Sequence, residues 1–321
     1  MKGVHHITVS NAVVKYEFDI RRNITIIKGD SATGKTTLVE LINEHYESGT
    51  GSGVTLVCDK SCRVLSGRDW RIILSSIKDS IIFIDEDNNF ITSVAFAEAV
   101  RESDNYYVIV TREGLANLPY SVDEIYGIRS SGKYAGLKQT YHEFFHIYGD
   151  HVPNETIDPD LLIVEDSNSG YEFFEGLSKS KQYRVISASG KTNVFRIANE
   201  QKEGNTVIIA DGAAFGAEMD RMIKLAASRK NVTLYLPESF EWLILSANLL
   251  SSRDIDAVLD SPSDYIESSA YFSWERYFTH LLIEKTEKTY LRYSKAKLNR
   301  TYLQTSIVEK IMKVIKDIKL I

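Results

Sequence analysis

Cysteine is nearly absent. Cys58 and Cys62 are the only two thiols in 321 residues. With three residues between them and no second pair, they make half of a metal site at best. They read as ordinary reduced thiols of a cytosolic protein. Long apolar runs are also missing. None reaches membrane-spanning length, and the N-terminus lacks a secretory apolar segment, so a cytoplasmic protein with no membrane partner is expected. Positive charge is not in excess: the net charge is −6 and is spread along the chain. That removes any global argument for nucleic acid and leaves only a local basic patch. Internal repeats and low-complexity tracts are absent too. What remains is a globular composition, 43% hydrophobic and 26% charged, long enough for two domains with real cores.

The most informative stretch is Ile24-Thr-Ile-Ile-Lys-Gly29-Asp30-Ser31-Ala32-Thr33-Gly34-Lys35-Thr36-Thr37. An apolar run ends in Gly29, four residues follow, then Gly34-Lys35-Thr36, then a helical pattern from Leu38. This is the G-x-x-x-x-G-K-[ST] phosphate loop with a strand before it and a helix after it. Glycines let successive N–H groups turn toward phosphate oxygens, and the helix N-terminus adds positive potential. Residues 29–37 are therefore expected to cradle ATP, with Lys35 on the β- and γ-phosphates and Thr36 on Mg²⁺.

Ile81-Ile-Phe-Ile-Asp85-Glu86 supplies the second half of that chemistry. Four apolar residues ending in Asp-Glu resemble a Walker B strand. Asp85 would share the Mg²⁺ with Thr36, and Glu86 would act as general base on the attacking water. Tyr106-Tyr-Val-Ile-Val-Thr111-Arg112 reads as the next strand. Thr111 is placed where P-loop ATPases often keep a γ-phosphate sensor, and Arg112 is a cation able to stabilise phosphoryl charge. Val54-Thr-Leu-Val-Cys reads as a short buried strand. His5–Ser10 and Val13–Ile20 read as two strands ahead of the loop strand. That opening resembles ABC- and SMC-type ATPases, although the stretch from Lys35 to Asp85 leaves no room for their helical lobe. Alternation of strand and helix predicts a mostly parallel sheet with helices on both faces. A hairpin from Ile125 to Phe145 closes this domain, placed at residues 1–150.

His142-Glu143-Phe-Phe-His146 fits the H-E-x-x-H pattern of zinc proteases, with Glu165 as a third ligand. Its flanks read as a strand, so the zinc metalloprotease is the remote reading.

A polar stretch from Gly149 to Asp160 carries two prolines and reads as a linker. An α/β pattern then restarts. Leu161-Leu-Ile-Val ends in Glu165, Thr206-Val-Ile-Ile-Ala ends in Asp211, and a strand from Val232 is followed by Pro237-Glu238-Ser-Phe-Glu241. Sites in open α/β sheets gather at the carboxyl ends of strands, so these acids are candidates to hold Mg²⁺ or Mn²⁺ for phosphodiester cleavage. The arrangement resembles a TOPRIM domain. A P-loop ATPase followed by such a domain resembles the OLD (overcoming lysogenisation defect) nucleases and related antiphage ATPase–nuclease systems. That resemblance implies Glu165 and Asp211 as catalytic metal ligands. The second Asp of the family's Asp-x-Asp is Ala213 here, and the family's ATPase signature loop is missing.

Leu243 to Leu259 reads as one helical stretch, and the chain from Trp274 onward as helical and basic, with Tyr290, Tyr293 and Tyr302 interleaved. Such a segment could track nucleic acid and stack its bases. The expected organisation is 1–150, a P-loop NTPase domain; 160–260, a TOPRIM-like α/β domain; and 261–321, a helical basic region. The expected function is an ATPase regulating a metal-dependent nuclease. The alternative is a nucleotide-driven switch whose second domain only binds a protein or nucleic-acid partner. A homo-oligomer or a partner protein could complete the ATP site.

Overall fold

The computed structural model describes residues 1–30, 33–131, 139–148, 156–179, 181–250, 252–316 and 318–321. The chain divides into two units. The first is Met1–Gly149 with Ser261–Phe272, and the second is Asp150–Asp260 with Ser273–Ile321. The expected separate C-terminal region is thus shared out between them. Residues 261–272 belong to the first unit, where Gly3 donates to the Ser263 carbonyl (2.7 Å) and Asn23 to the Phe272 carbonyl (2.9 Å).

In the first unit, β1 (His5–Ser10), β2 (Val14–Ile20), β3 (Ile24–Lys28), β4 (Thr55–Val57), β5 (Ser61–Val64), β6 (Ser80–Ile84), β7 (Tyr106–Val110), β8 (Ile125–Ser130) and β9 (Thr140–His146) form one sheet. Its order is β4-β1-β2-β9-β8-β3-β7-β6-β5. The sheet is mixed rather than mostly parallel. Strands β8-β3-β7-β6-β5 run parallel and β2 pairs parallel with β9, while β1 pairs antiparallel with β2 and β4, and β8 with β9. Short connections can only reverse the chain, whereas long crossovers bring it back parallel. Every residue of β3, β6 and β7 is buried, as expected of central strands covered on both faces. Helix α1 (Lys35–Ser48) lays Leu38, Val39, Leu41 and Ile42 into a core shared with Phe18, Ile27, Phe83 and Val108. Strand β4 corrects the sequence reading. It is an edge strand with Thr55 and Val57 exposed, not a buried one. The short helices α2 (Trp70–Ser75) and α3 (Val94–Arg101) fill the β5–β6 and β6–β7 crossovers.

In the second unit, β10 (Leu161–Val164), β11 (Arg184–Ser187), β12 (Thr206–Ile209) and β13 (Val232–Tyr235) form an all-parallel sheet in the order β11-β10-β12-β13. Helices α4 (Ser169–Ser178), α5 (Lys191–Glu200) and α6 (Met219–Ser228) make the crossovers, and α7 (Phe240–Ser246) follows β13. Val164, Ser187, Ile209 and Tyr235 are level in register, so the residues that follow them share one edge. The single helix expected over 243–259 is two, α7 and α8 (Arg253–Asp260), with Asn248 between them at φ 50. A short helix α9 (Pro262–Tyr265) lies in the first unit's returning segment. Beyond it, α10 (Trp274–Thr286) and α11 (Thr305–Met312) are separated by turns. Tyr293 and Tyr302 are buried core residues here, and only Tyr290 is exposed, so the expected tyrosine stacking stripe does not exist.

Candidate functional site

Two sites emerge, one at the carboxyl edge of each sheet. In the first unit, β3 delivers the chain into Gly29 (φ 138), and Gly34 (φ 91) opens α1. Both angles lie where a side chain is strained. Lys35 is only 5% exposed. Its ammonium points into the loop and donates to the carbonyls of Gly29 (2.8 Å) and Asp30 (2.5 Å) and to the Thr33 hydroxyl (3.1 Å). Thr36 is exposed and Thr37 half-buried in the first turn of α1. Ser31 and Ala32 lie outside the described residues. Tyr16 donates to the Gly34 carbonyl (2.9 Å) and stacks on His142, its partner across the parallel β2–β9 pair, with centroids 4.6 Å apart, so these two strands buttress the loop.

Strand β7 separates β3 from β6, with Ile27 level with Val110 and Ile109 with Ile84. That register brings Thr111, Asp85 and Glu86 to the edge where the phosphate loop begins. Asp85 accepts from the Glu86 amide (2.8 Å). Thr111 is buried, and its hydroxyl donates to the Glu113 carbonyl (3.0 Å), so it is tied to its own loop. Glu86 is gripped by Arg112, Oε2 by Nε (2.9 Å) and Oε1 by Nη2 (2.7 Å). That grip holds the Glu86 carboxyl below its ordinary range, with a smaller pull from the Lys35 charge. A cleft of about 410 Å³ runs past Glu86, Asn88, Thr111 and Arg112. A cavity of about 530 Å³ between Arg71, Lys78 and Asp104 opens at the opposite, amino end of β6 and β7, away from this chemistry.

In the second unit, Glu165 and Asp211 do meet. Glu165 Oε2 accepts from the Asp211 backbone N–H (3.0 Å). Burial pushes the Glu165 carboxyl up to about 7, with Glu275 and Asp166 adding to the rise. Asp211 is raised well above its ordinary value, chiefly by burial and then by Glu275, Glu165 and Glu241. A nook of about 20 Å³ beside Glu165, Asp166 and Asp211 has room for one water.

Sequence reasoning missed the partners supplied from afar. Lys295 donates to Glu275 (2.5 Å) and lies 3.5 Å from Glu241, and these acids hold its ammonium well above the usual range against the effect of burial. Glu241, 1% exposed, accepts from Tyr293 (2.8 Å) through Oε1, while its buried Oε2 has no hydrogen-bond partner. In the sequence Lys295 is one of many basic residues beyond Trp274, with no spacing to connect it to the acids. Lys191, the first residue of α5, donates to the Ala214 carbonyl (3.0 Å).

Among the described residues, no three His, Cys, Asp or Glu side chains are arranged to hold a metal ion. The zinc-protease pattern falls on β9, a strand, where residues four apart stand about 13 Å from each other. His142 packs on Tyr16 and His146 on Tyr126, and Glu143 accepts from Ser131 (2.9 Å), so no zinc site forms there. Among the described residues, no helix is long and apolar enough to cross a membrane. No known family and no characterised protein matches this chain.

Proposed function

We propose that the first unit binds and hydrolyses ATP with Mg²⁺ and that its nucleotide state governs the acidic site of the second unit. The observation that carries this reading is Lys35, turned toward the Gly29 carbonyl at the start of the phosphate-loop sequence, with the Asp85-Glu86 pair two strands away on the same sheet edge. Loop N–H groups and Lys35 would hold the phosphates. Thr36 and Asp85 would hold Mg²⁺, which supplies charge neutralisation on the phosphates. Glu86 would take the proton of the attacking water.

For the second unit we propose an acidic, TOPRIM-like site directed at a phosphodiester, as in OLD-type nucleases. Five carboxyl groups (Glu165, Asp166, Asp211, Glu241 and Glu275) act on one another against the two ammonium groups of Lys191 and Lys295. A divalent cation held by the ionised forms of Glu165 and Asp211 would polarise the phosphate, with the orphaned Glu241 oxygen as a further acceptor in the cluster. Lys295 favours the second reading, a switch whose second unit binds a partner without cutting, because its ammonium already neutralises part of the cluster.

One assay separates these readings. Cleavage of DNA and RNA is measured with Mg²⁺ or Mn²⁺, with and without ATP, for the wild type, Lys35→Ala and Glu165→Ala. Cleavage abolished by Glu165→Ala supports the nuclease. ATP hydrolysis without any cleavage supports the switch. Absence of ATP hydrolysis and of ATP binding in the wild type would overturn the first-unit reading.

A further inference from the structure

The base proposed for ATP hydrolysis is not free to act. Both Glu86 oxygens accept from one guanidinium, at 2.9 and 2.7 Å. A carboxylate held at both oxygens is a poor proton acceptor, so Arg112 has to let go before water is activated. Its surroundings identify what draws it away. Arg112 follows Thr111 directly at the end of β7, the strand lying between the phosphate-loop strand and the Asp85-Glu86 strand. Its side chain is 60% exposed while that of Glu86 is 23% exposed, so the arginine is the member with room to turn. The negative charge of Asp30, within the phosphate loop, already acts on it. Both partners line a cleft of about 410 Å³. A guanidinium pairs with phosphate as readily as with carboxylate, through the same two-pronged geometry.

Building on the ATPase reading, we propose that Arg112 discriminates ATP from ADP by exchanging Glu86 for the terminal phosphate. Only a nucleotide with a γ-phosphate offers the competing oxygens, so only ATP releases the base. The exchange is a binding competition with no bond made or broken. It also accounts for the placement of the cation one residue past Thr111, whose hydroxyl is committed to Glu113.

The test is a double-mutant cycle on binding. Affinities for Mg²⁺·ADP and for the Mg²⁺·β,γ-imido analogue of ATP are measured by calorimetry in the wild type, Arg112→Ala, Glu86→Ala and the double variant. Arg112→Ala is expected to weaken the analogue about tenfold or more, the worth of one charged hydrogen-bonded pair, while ADP moves less than about twofold. Glu86→Ala is expected to tighten the analogue, because the competitor is gone, and to have no such effect once Arg112 is already alanine. Arg112→Lys should restore part of the discrimination. Equal losses for ADP and analogue in Arg112→Ala would overturn the exchange and leave Arg112 a structural residue. So would a Glu86→Ala effect that persists without Arg112. A wild type that binds neither nucleotide would instead remove the ATPase reading itself, which distinguishes the two failures.

Discussion

Glu124 is 3% exposed, just before β8, with the Thr25 hydroxyl donating to it (3.1 Å) and Arg22 at 3.6 Å. Burial outweighs Arg22 and lifts its carboxyl from 4.5 to about 7. The folded protein therefore holds a proton there that the unfolded chain has released. The contribution to stability is full below pH 4.5 and is lost as pH rises through 7. Glu124→Gln removes this dependence. Relative to the wild type, the variant should gain up to about 3 kcal/mol between pH 5 and pH 8, read by urea unfolding at both values. A pH-independent difference would contradict the assignment. Gly34 gives a second residue-scale expectation. A methyl group there would meet Tyr16 Oη at 2.7 Å and His142 Cε1 at 3.1 Å, at a φ of 91. Gly34→Ala should cost about 1–2 kcal/mol of stability from backbone strain alone and abolish nucleotide binding, measured by unfolding and calorimetry. Nucleotide affinity at wild-type level in that variant would remove Gly34 from the loop's working parts.

Elements show why part of the molecule was readable. The loop between β3 and α1, and the acids closing β6, β10 and β12, are encoded in contiguous residues, where an apolar run sets the strand and its first polar residue marks the edge. Strand β5 was not foreseen because Ser61-Cys62-Arg63-Val64 lacks a strand-like apolar pattern, and it is held by pairing with β6. Edge strand β4 reads as buried because Val54, Leu56, Val57 and Cys58 make an apolar run, yet only Val54, just before the strand, is buried and Val57 is exposed. The second site was half-legible. Its strand-end acids sit in sequence patterns, but Glu275 and Lys295 reach the cluster from residues far along the chain, and no local pattern announces that. Helix α7 carries a further element-scale prediction. Buried Ser239 caps it by accepting from the Trp242 amide (3.1 Å), which fixes the first turn holding Glu241. Ser239→Ala should destabilise by about 1 kcal/mol, read by urea unfolding, with cleavage or partner binding by the second unit reduced alongside. A stability change confined to a few tenths of a kcal/mol would show that the cap is dispensable.

At the scale of the whole molecule, the path of the chain matters most. It leaves the second unit after Asp260, returns to the first unit for Ser261–Phe272, and re-enters the second at Ser273. The returning segment is fastened within the first unit. Ser268 donates to the Met1 carbonyl, Glu267 pairs with the N-terminal ammonium, and the Asn23 amide holds the Phe272 carbonyl. Asn23 immediately precedes β3, whose far end is the phosphate loop. Glu275, three residues beyond Phe272, stands in α10 and belongs to the second unit's acid cluster. One hydrogen bond, from Asn23 to Phe272, and a few residues of chain thus join the base of the phosphate-loop strand to a side chain of the second site. If nucleotide governs that site through this route, ATP should change amide exchange at the start of α10, around residues 273–280, on adding the β,γ-imido analogue with Mg²⁺. Asn23→Ala removes one hydrogen bond to a main-chain carbonyl, about 1 kcal/mol, and touches none of the proposed phosphate-binding groups. Nucleotide affinity should therefore stay within about threefold while the exchange response at α10 shrinks. An undiminished response in the variant would show that the two units communicate by some other route.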